Sequence, residues 1–291
     1  MLPYNTLVMT DMGAVSFTKY HGAGNDFIVV EPKGKSADWS GLAIAMCDRH
    51  FGVGADGLLL VEASMKAAHR MVLFNADGSE AEMCGNGIRC FAKHVIEQLE
   101  APIESLLVET LAGVHEITPR LENGEVVSAR VGMGAPRFKP EEIPVAMSGD
   151  ELVIDHRIVV GEIPLSVTSL SMGNPLAVAF IDAPVSEWPL DRVGPLMEHD
   201  PFFPRRVNFE IVNVESAERV KARVWERGAN ETLACGTGAS AIAVAGQIKG
   251  LTGKSVVVSL PGGDLRIDWD GEGEVWLDGP VSRVFSGRWP N

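Results

Sequence analysis

The sequence predicts an α+β fold built from two homologous halves, and three observations carry that reading. Strand-like runs outnumber helical ones, one of the few helices is apolar on every side, and four local patterns recur in the same order about 150 residues apart.

The strand runs of the first half are FIVV at 27–30, GLLLVEA at 57–63, RMVLFNA at 70–76 and VVSARVGM at 126–133. The second half adds PLSVTSL, LAVAFI, NFEIVNV, RVKARVWE, SVVVSL, DLRIDW and EVWLDG. Several alternate with period two between Gly, Asn, Asp or Pro, the pattern of half-buried strands joined by turns. Asn123-Gly124 and Asp270-Gly271 are hairpin signals.

Four segments read as helices. Trp39–His50 and Leu190–His199 are short. Gly87–Leu99 places Ile88, Phe91, Ala92, Val95 and Leu99 on one stripe, with Arg89, Lys93 and Glu97 elsewhere. Gly238–Lys249 is almost wholly apolar and ends at Gly250, a C′ residue. Such a helix must be covered on all sides, so a sheet is expected to wrap it.

The duplication is the most informative feature. Gly24-Asn25 recurs as Gly173-Asn174, and the helix at 41–50 recurs at 190–199. The strand beginning Ala55-Asp56 recurs near Val207-Asn208. Glu80-x-x-x-Cys84-Gly-Asn-Gly recurs as Glu231-x-x-x-Cys235-Gly-Thr-Gly. Each CGxG opens a helix and follows a strand end, Asn75 or Glu226, by nine residues. Four ordered matches at nearly constant offset indicate two related halves, with a boundary near the turn at Gly134–Pro140.

A cysteine at a helix start sits beside unpaired N–H groups and the positive end of the dipole, which makes thiolate more available. The adjacent glycines let those N–H groups approach an anion such as a carboxylate. Two such motifs in halves related by a pseudo-twofold can set two thiols on opposite sides of one carbon. That arrangement suits inversion next to a carboxylate: a thiolate takes the proton from one face and a thiol delivers one to the other. Cys47 and Cys90 keep the reading of inert core thiols. Cys90 lies six positions beyond Cys84, roughly 240° around the helix, so the two do not share a face.

Composition narrows the rest. The chain of 291 residues carries a net charge of −14, which disfavours nucleic acid and anionic membrane as partners. No apolar run approaches a membrane span, and the first residues lack a secretory signal. Residues 1–14 read as a disordered extension, with Met9 or Met12 as alternative starts. Four cysteines make no disulfide framework, CxxC is absent, and the seven histidines show no ligand spacing. The expectation is a cytoplasmic chain with no metal and no cofactor.

At this point the residues resemble a known family, the diaminopimelate epimerases. The matching segments include FTKYHGAGNDFIVV, CDRHFGVGADGLLLVE, FNADGSEAEMCGNGIRCFAKHV, SMGNP, RVNFEIVNV, RVWERGANETLACGTGASAIAVAG and LPGGDLRIDW, from Phe17 nearly to the C-terminus. The resemblance implies two similar domains, each a mixed, mostly antiparallel sheet rolled around a central helix. The last strands would return to the first domain, giving 15–135 plus 279–291 and 136–278. It implies conversion of LL-2,6-diaminopimelate to the meso form in lysine and peptidoglycan precursor synthesis, without pyridoxal phosphate or metal, by a homodimer. It makes Cys84 and Cys235 the acid–base pair. Gly85, Asn86, Gly236 and Thr237 would cradle the reacting carboxylate, while Asn25, Asn75, Asn174, Asn208, Glu226 and Arg227 line the substrate site. Arg227 suits the distal carboxylate because a guanidinium can bind both oxygens.

Three positions depart from the family pattern. Leu176 follows the GNP motif where a histidine that helps tune the cysteines is usual. Gly57 stands where some members have a substrate-binding glutamine, and Asn230 replaces a common glycine. Two alternatives remain open in the sequence: epimerisation of another amino acid such as proline or hydroxyproline, and a non-catalytic amino-acid binder or thiol redox sensor.

Overall fold

The computed structural model describes residues 13–34, 36–99, 103–149 and 151–290, so residues 1–12 of the expected extension lie outside it. The chain forms two compact units, one comprising the chain up to Ala129 and from Val281 on, the other Arg130–Pro280.

The first unit contains β1 (Val15–Gly22), β2 (Asn25–Val30), α1 (Trp39–Cys47), β3 (Gly57–Glu62) and β4 (His69–Asn75). It continues through β5 (Glu80–Ala81), α2 (Gly85–Ile96), β6 (Leu106–Thr110) and β7 (Gly113–Glu122), and β8 (Glu125–Gly132) carries the chain into the second unit. The second unit has β9 (His156–Val160), β10 (Ile163–Ser171), β11 (Pro175–Phe180), α3 (Leu190–Glu198) and β12 (Asn208–Ser216). There follow β13 (Arg219–Glu226), β14 (Asn230–Thr232), α4 (Gly236–Ile248), β15 (Ser255–Leu260), β16 (Gly263–Asp268) and β17 (Trp276–Pro280). The last strand, β18 (Ser282–Trp289), pairs antiparallel with β1.

The two units share one topology. In the first, β1 pairs antiparallel with β2, β2 parallel with β3 across α1, β3 antiparallel with β4, and β4 parallel with β6 across α2. In the second, β10–β11, β11–β12 across α3, β12–β13 and β13–β15 across α4 repeat the same senses in the same order. Even the register recurs: Phe27 pairs with Gly57, and Leu176 with Asn208. Parallel pairs need a crossover, and here each crossover contains a helix.

α2 and α4 are the central helices. Every residue of α2 is buried, and α4 is buried from Gly236 to Gly246 apart from Thr237. The wrapped helix expected at 238–249 is therefore present, and α2 is wrapped as well. This differs from the amphipathic stripe read for 87–99, because Arg89, Lys93 and His94 are buried too. Buried polar heads need partners. Lys93 donates to Val126 O and Glu97, while His94 lies between Tyr20 Oη and Glu31 Oε1.

Element ends are set by local chemistry. Both central helices begin two residues earlier than expected because the cysteine sulfur itself caps them, accepting from the Gly87 and Gly238 N–H groups. α1 stops at Cys47 because Asp48 Oδ1 takes the N–H groups of His50 and Phe51. α4 ends with Lys249 as cap and Gly250 at φ 68°. Asn123 and Gly124 both have positive φ, as a type I′ turn demands. Asp270-Gly271 instead belongs to a longer loop, residues 269–275, between β16 and β17. Among the described residues no helix is long and apolar enough to cross a membrane.

Candidate active site

The first unit builds one cysteine subsite at the start of α2. Cys84 has extended backbone and its Sγ accepts from Gly87 N–H at 3.4 Å. Asn25, at the start of β2, presents Oδ1 to Cys84 Sγ at 3.7 Å and to Asn86 Nδ2 at 3.2 Å. The polarity of this chain is fixed at both ends. Asp56, which can only accept, takes Asn25 Nδ2 at 2.6 Å. Arg89, which can only donate, gives one N–H to Asn86 Oδ1 and another to Gly85 O, both at 2.9 Å. Asp56 is held in turn by Arg49, which also binds both oxygens of Asp26, and Lys19 completes the cluster on Asp26.

Asn75 stands apart from this chain. It closes the turn after β4, donating from Nδ2 to Ser79 Oγ and from its backbone to Ser79 O. The structure thus joins Asn25, Cys84, Gly85 and Asn86, and gives Asn75 a turn role.

The second unit repeats the construction at α4. Cys235 Sγ accepts from Gly238 N–H at 3.4 Å and lies 3.4 Å from Thr237 Oγ1. Asn174 Nδ2 donates to Thr237 Oγ1 at 3.3 Å, and its buried Oδ1 has no partner. Asn208 accepts the Arg227 N–H on Oδ1 at 2.9 Å, so its Nδ2 faces Cys235 Sγ at 3.9 Å. The two sulfurs therefore meet opposite ends of an asparagine amide. Glu226 accepts from Thr232 Oγ1, and the exposed Arg227 guanidinium rests on Arg205 O.

Sequence reasoning missed Glu210. It is fully buried on β12, and neither carboxyl oxygen closes a hydrogen bond. A β-carbon at Gly238 would fall 2.9 Å from Glu210 Oε1 and 3.3 Å from Cys235 Cβ. The acid and the cysteine thus flank one methyl-sized gap, and glycine at 238 is what lets them do so. Burial pushes the Glu210 carboxyl well above the usual range, the Glu226 carboxylate adds to it, and the nearby Ala177 N–H opposes weakly. Burial likewise raises the Cys235 thiol, with Glu226 next; Thr237 and the Gly238 N–H pull the other way. Cys47 is pushed up to about 12, by burial first, and burial also raises the fully buried Cys90. Those two thiols are packing groups.

The departures have local causes. Leu176 is fully buried and lies beside Asn208 in the parallel ladder, where it can neither give nor take a proton. A β-carbon at Gly57 would sit 2.8 Å from Phe74 O, so the backbone has closed on the space a glutamine would need. Asn230 has φ 64°, a left-handed turn that asparagine tolerates where glycine is common. Among the described residues no cluster of His, Cys, Asp or Glu could hold a metal.

The diaminopimelate epimerase family model matches residues 17–139 and 168–284. A diaminopimelate epimerase of Moorella thermoacetica is 50% identical over 279 residues, covering 94% of this chain and 99% of that protein. One from Methanococcus maripaludis is 45% identical over 276 residues, with 94% and 99% covered. Among solved structures, a PhzF-family phenazine biosynthesis protein of Bacillus anthracis aligns with TM-score 0.67 at 18% identity, covering 95% and 99%. A hydroxyproline epimerase of Agrobacterium vitis aligns with TM-score 0.65 at 13% identity, covering 97% and 92%. These two share the fold. With half its residues matched by a relative that it spans almost end to end, the chain belongs to the diaminopimelate epimerase family.

Proposed function

We propose that the chain interconverts LL- and meso-2,6-diaminopimelate by passing protons through Cys84 and Cys235. The observation that carries this reading is the repeated site: at equivalent helix starts in units of one topology, a cysteine caps the helix and an asparagine side chain meets its sulfur. The reaction needs the two sulfurs on opposite faces of one α-carbon. One thiolate takes the α-proton as the Cα–H bond breaks; the opposite thiol releases its proton to form the new Cα–H bond. The first-turn N–H groups at Gly85–Asn86 and Gly236–Thr237 grip the carboxylate and stabilise charge that develops there. The partnerless Asn174 Oδ1 suits the substrate ammonium. Both thiols must stay reduced, so a cytoplasmic enzyme of lysine and peptidoglycan precursor synthesis fits, acting as a homodimer.

Incubation of the purified protein with LL-diaminopimelate, a reductant and a chelator, without added cofactor, should yield the meso form. A panel with proline and trans-4-hydroxyproline should show no inversion. Failure with diaminopimelate, or inversion of proline instead, would sink the assignment.

Arg227 supplies specificity in this reading, by gripping the distal carboxylate. Arg227→Ala should raise KM about 10- to 100-fold, in keeping with loss of a charge-assisted bidentate contact. An unchanged KM would remove Arg227 from the substrate site.

A further inference from the structure

The fold places different groups beside its two cysteine turns. A β-carbon at Gly87 would meet Cys84 Cβ and the Phe27 ring, each at 3.4 Å. At the equivalent Gly238 it would meet Cys235 Cβ at 3.3 Å and Glu210 Oε1 at 2.9 Å. An acid thus holds, beside Cys235, the place that a ring holds beside Cys84. Phe27 corresponds to Leu176 and Leu59 to Glu210, since Gly57 and Asn208 occupy one ladder position. Leu59 and Glu210 are both fully buried, so the same fold accepts leucine at this place. A buried carboxyl with neither oxygen hydrogen-bonded costs stability, and packing alone gives no reason for it.

We infer that Glu210 is a positioning residue that acts on Cys235: as pH rises its carboxyl ionises first, and the anion opposes loss of the Cys235 proton. The two groups flank one methyl-sized gap at Gly238, whose N–H reaches the sulfur at 3.4 Å. Ordinary values are about 4.3 for a glutamate and about 8.5 for a thiol, and burial raises both here. A like charge in the same buried space then favours the thiol over the thiolate. β12 turns Asn208 and Glu210 toward α4, while β13 pairs Val224 with Glu210 and adds Glu226 on the same side. β10, β11 and β15, packed against α4, carry no titratable side chain, and β16 and β17 turn Leu265, Ile267 and Leu277 inward. α3 covers the opposite face of β12, against Phe209 and Ile211, so its Asp191, Arg192 and Glu198 do not face Glu210. The Arg227 guanidinium rests on Arg205 O. Thr237 and the Gly238 N–H favour the thiolate, and Glu226 and Glu210 oppose them. Cys235 therefore stays able to deliver a proton up to higher pH than burial alone would set.

The role in turnover rests on the two-thiol reading, but the test needs no substrate, so a failed epimerase assay leaves the inference standing. Iodoacetamide alkylation, resolved by peptide mass spectrometry across pH, gives an ionisation midpoint for each thiol. Glu210→Gln, which keeps the shape and loses the charge, should lower the Cys235 midpoint by about one pH unit and leave that of Cys84 in place. Glu210→Asp, which keeps the charge, should stay closer to wild type than to Glu210→Gln. A folded Glu210→Gln protein whose Cys235 midpoint is unmoved or raised would overturn the inference. So would an equal fall at both cysteines, the mark of a general loosening, or a fall in Glu210→Asp as large as in Glu210→Gln. Should Glu210→Gln not fold, Glu210→Leu, carrying the residue of the equivalent place, should give the same lowering, and an unmoved Cys235 midpoint there overturns the inference as well.

Discussion

Cys84→Ser and Cys235→Ser should each lower kcat for diaminopimelate epimerisation by about 10²- to 10⁴-fold, the usual worth of a positioned acid or base. A serine hydroxyl can fill the sulfur's place as helix cap, since serine is a favoured N-cap residue. The fold at α2 and α4 should therefore survive while the proton carrier is lost. Because one sulfur takes the proton and the other returns it, neither loss can be covered by the partner cysteine. Cys47→Ser and Cys90→Ser should cost stability rather than turnover, as both thiols are buried packing groups. Steady-state assays of meso product measure all four. Retention of more than a tenth of wild-type kcat by either site variant would contradict the two-carrier scheme.

Glu210→Gln should change the pH dependence of stability. The Glu210 carboxyl is raised in the folded chain by burial and by Glu226. An unfolded glutamate ionises near its ordinary value, about 4.3. Above that pH the unfolded chain has released a proton that the folded chain retains, so stability falls as pH rises toward the folded value. Below the ordinary value both states hold the proton and the effect vanishes. Glutamine has nearly the same shape and does not titrate. In urea unfolding at a series of pH values, the variant should gain on wild type by about 1.4 kcal/mol per pH unit above about pH 4.3. The slope is the informative quantity, because a buried amide without a partner carries its own pH-independent cost of about 1–3 kcal/mol. Parallel curves for the two proteins would show that Glu210 ionises normally.

The duplication was legible in the sequence because it rests on spacing, and the structure returns it as one strand order and one register in both units. The helices were legible in position, but the two central ones begin two residues early, since a cysteine is not among the residues that usually announce a cap. Glu210 was hidden for a physical reason. Alternation in NFEIVNV turns Phe209 and Ile211 to one face and Glu210 to the other, which reads as solvent. Yet β12 is buried on both faces from Asn208 to Val212, because it lies under α4 on one side and α3 on the other. Arg89 was hidden in the same way by a helix covered all round. Asp56 and Arg49 reach Cys84 through Asn25, a contact that depends on the parallel pairing of β2 with β3 and leaves no mark in local sequence.

Isotope placement during the first turnovers in deuterated water reads directly whether protons cross the α-carbon between two different carriers. Meso product formed from LL-diaminopimelate should carry one solvent deuterium at the inverted carbon from the earliest time points, while the remaining LL substrate stays unlabelled at that carbon. A single carrier serving both faces would return the substrate's own proton to the product, and early meso product without deuterium would contradict the account.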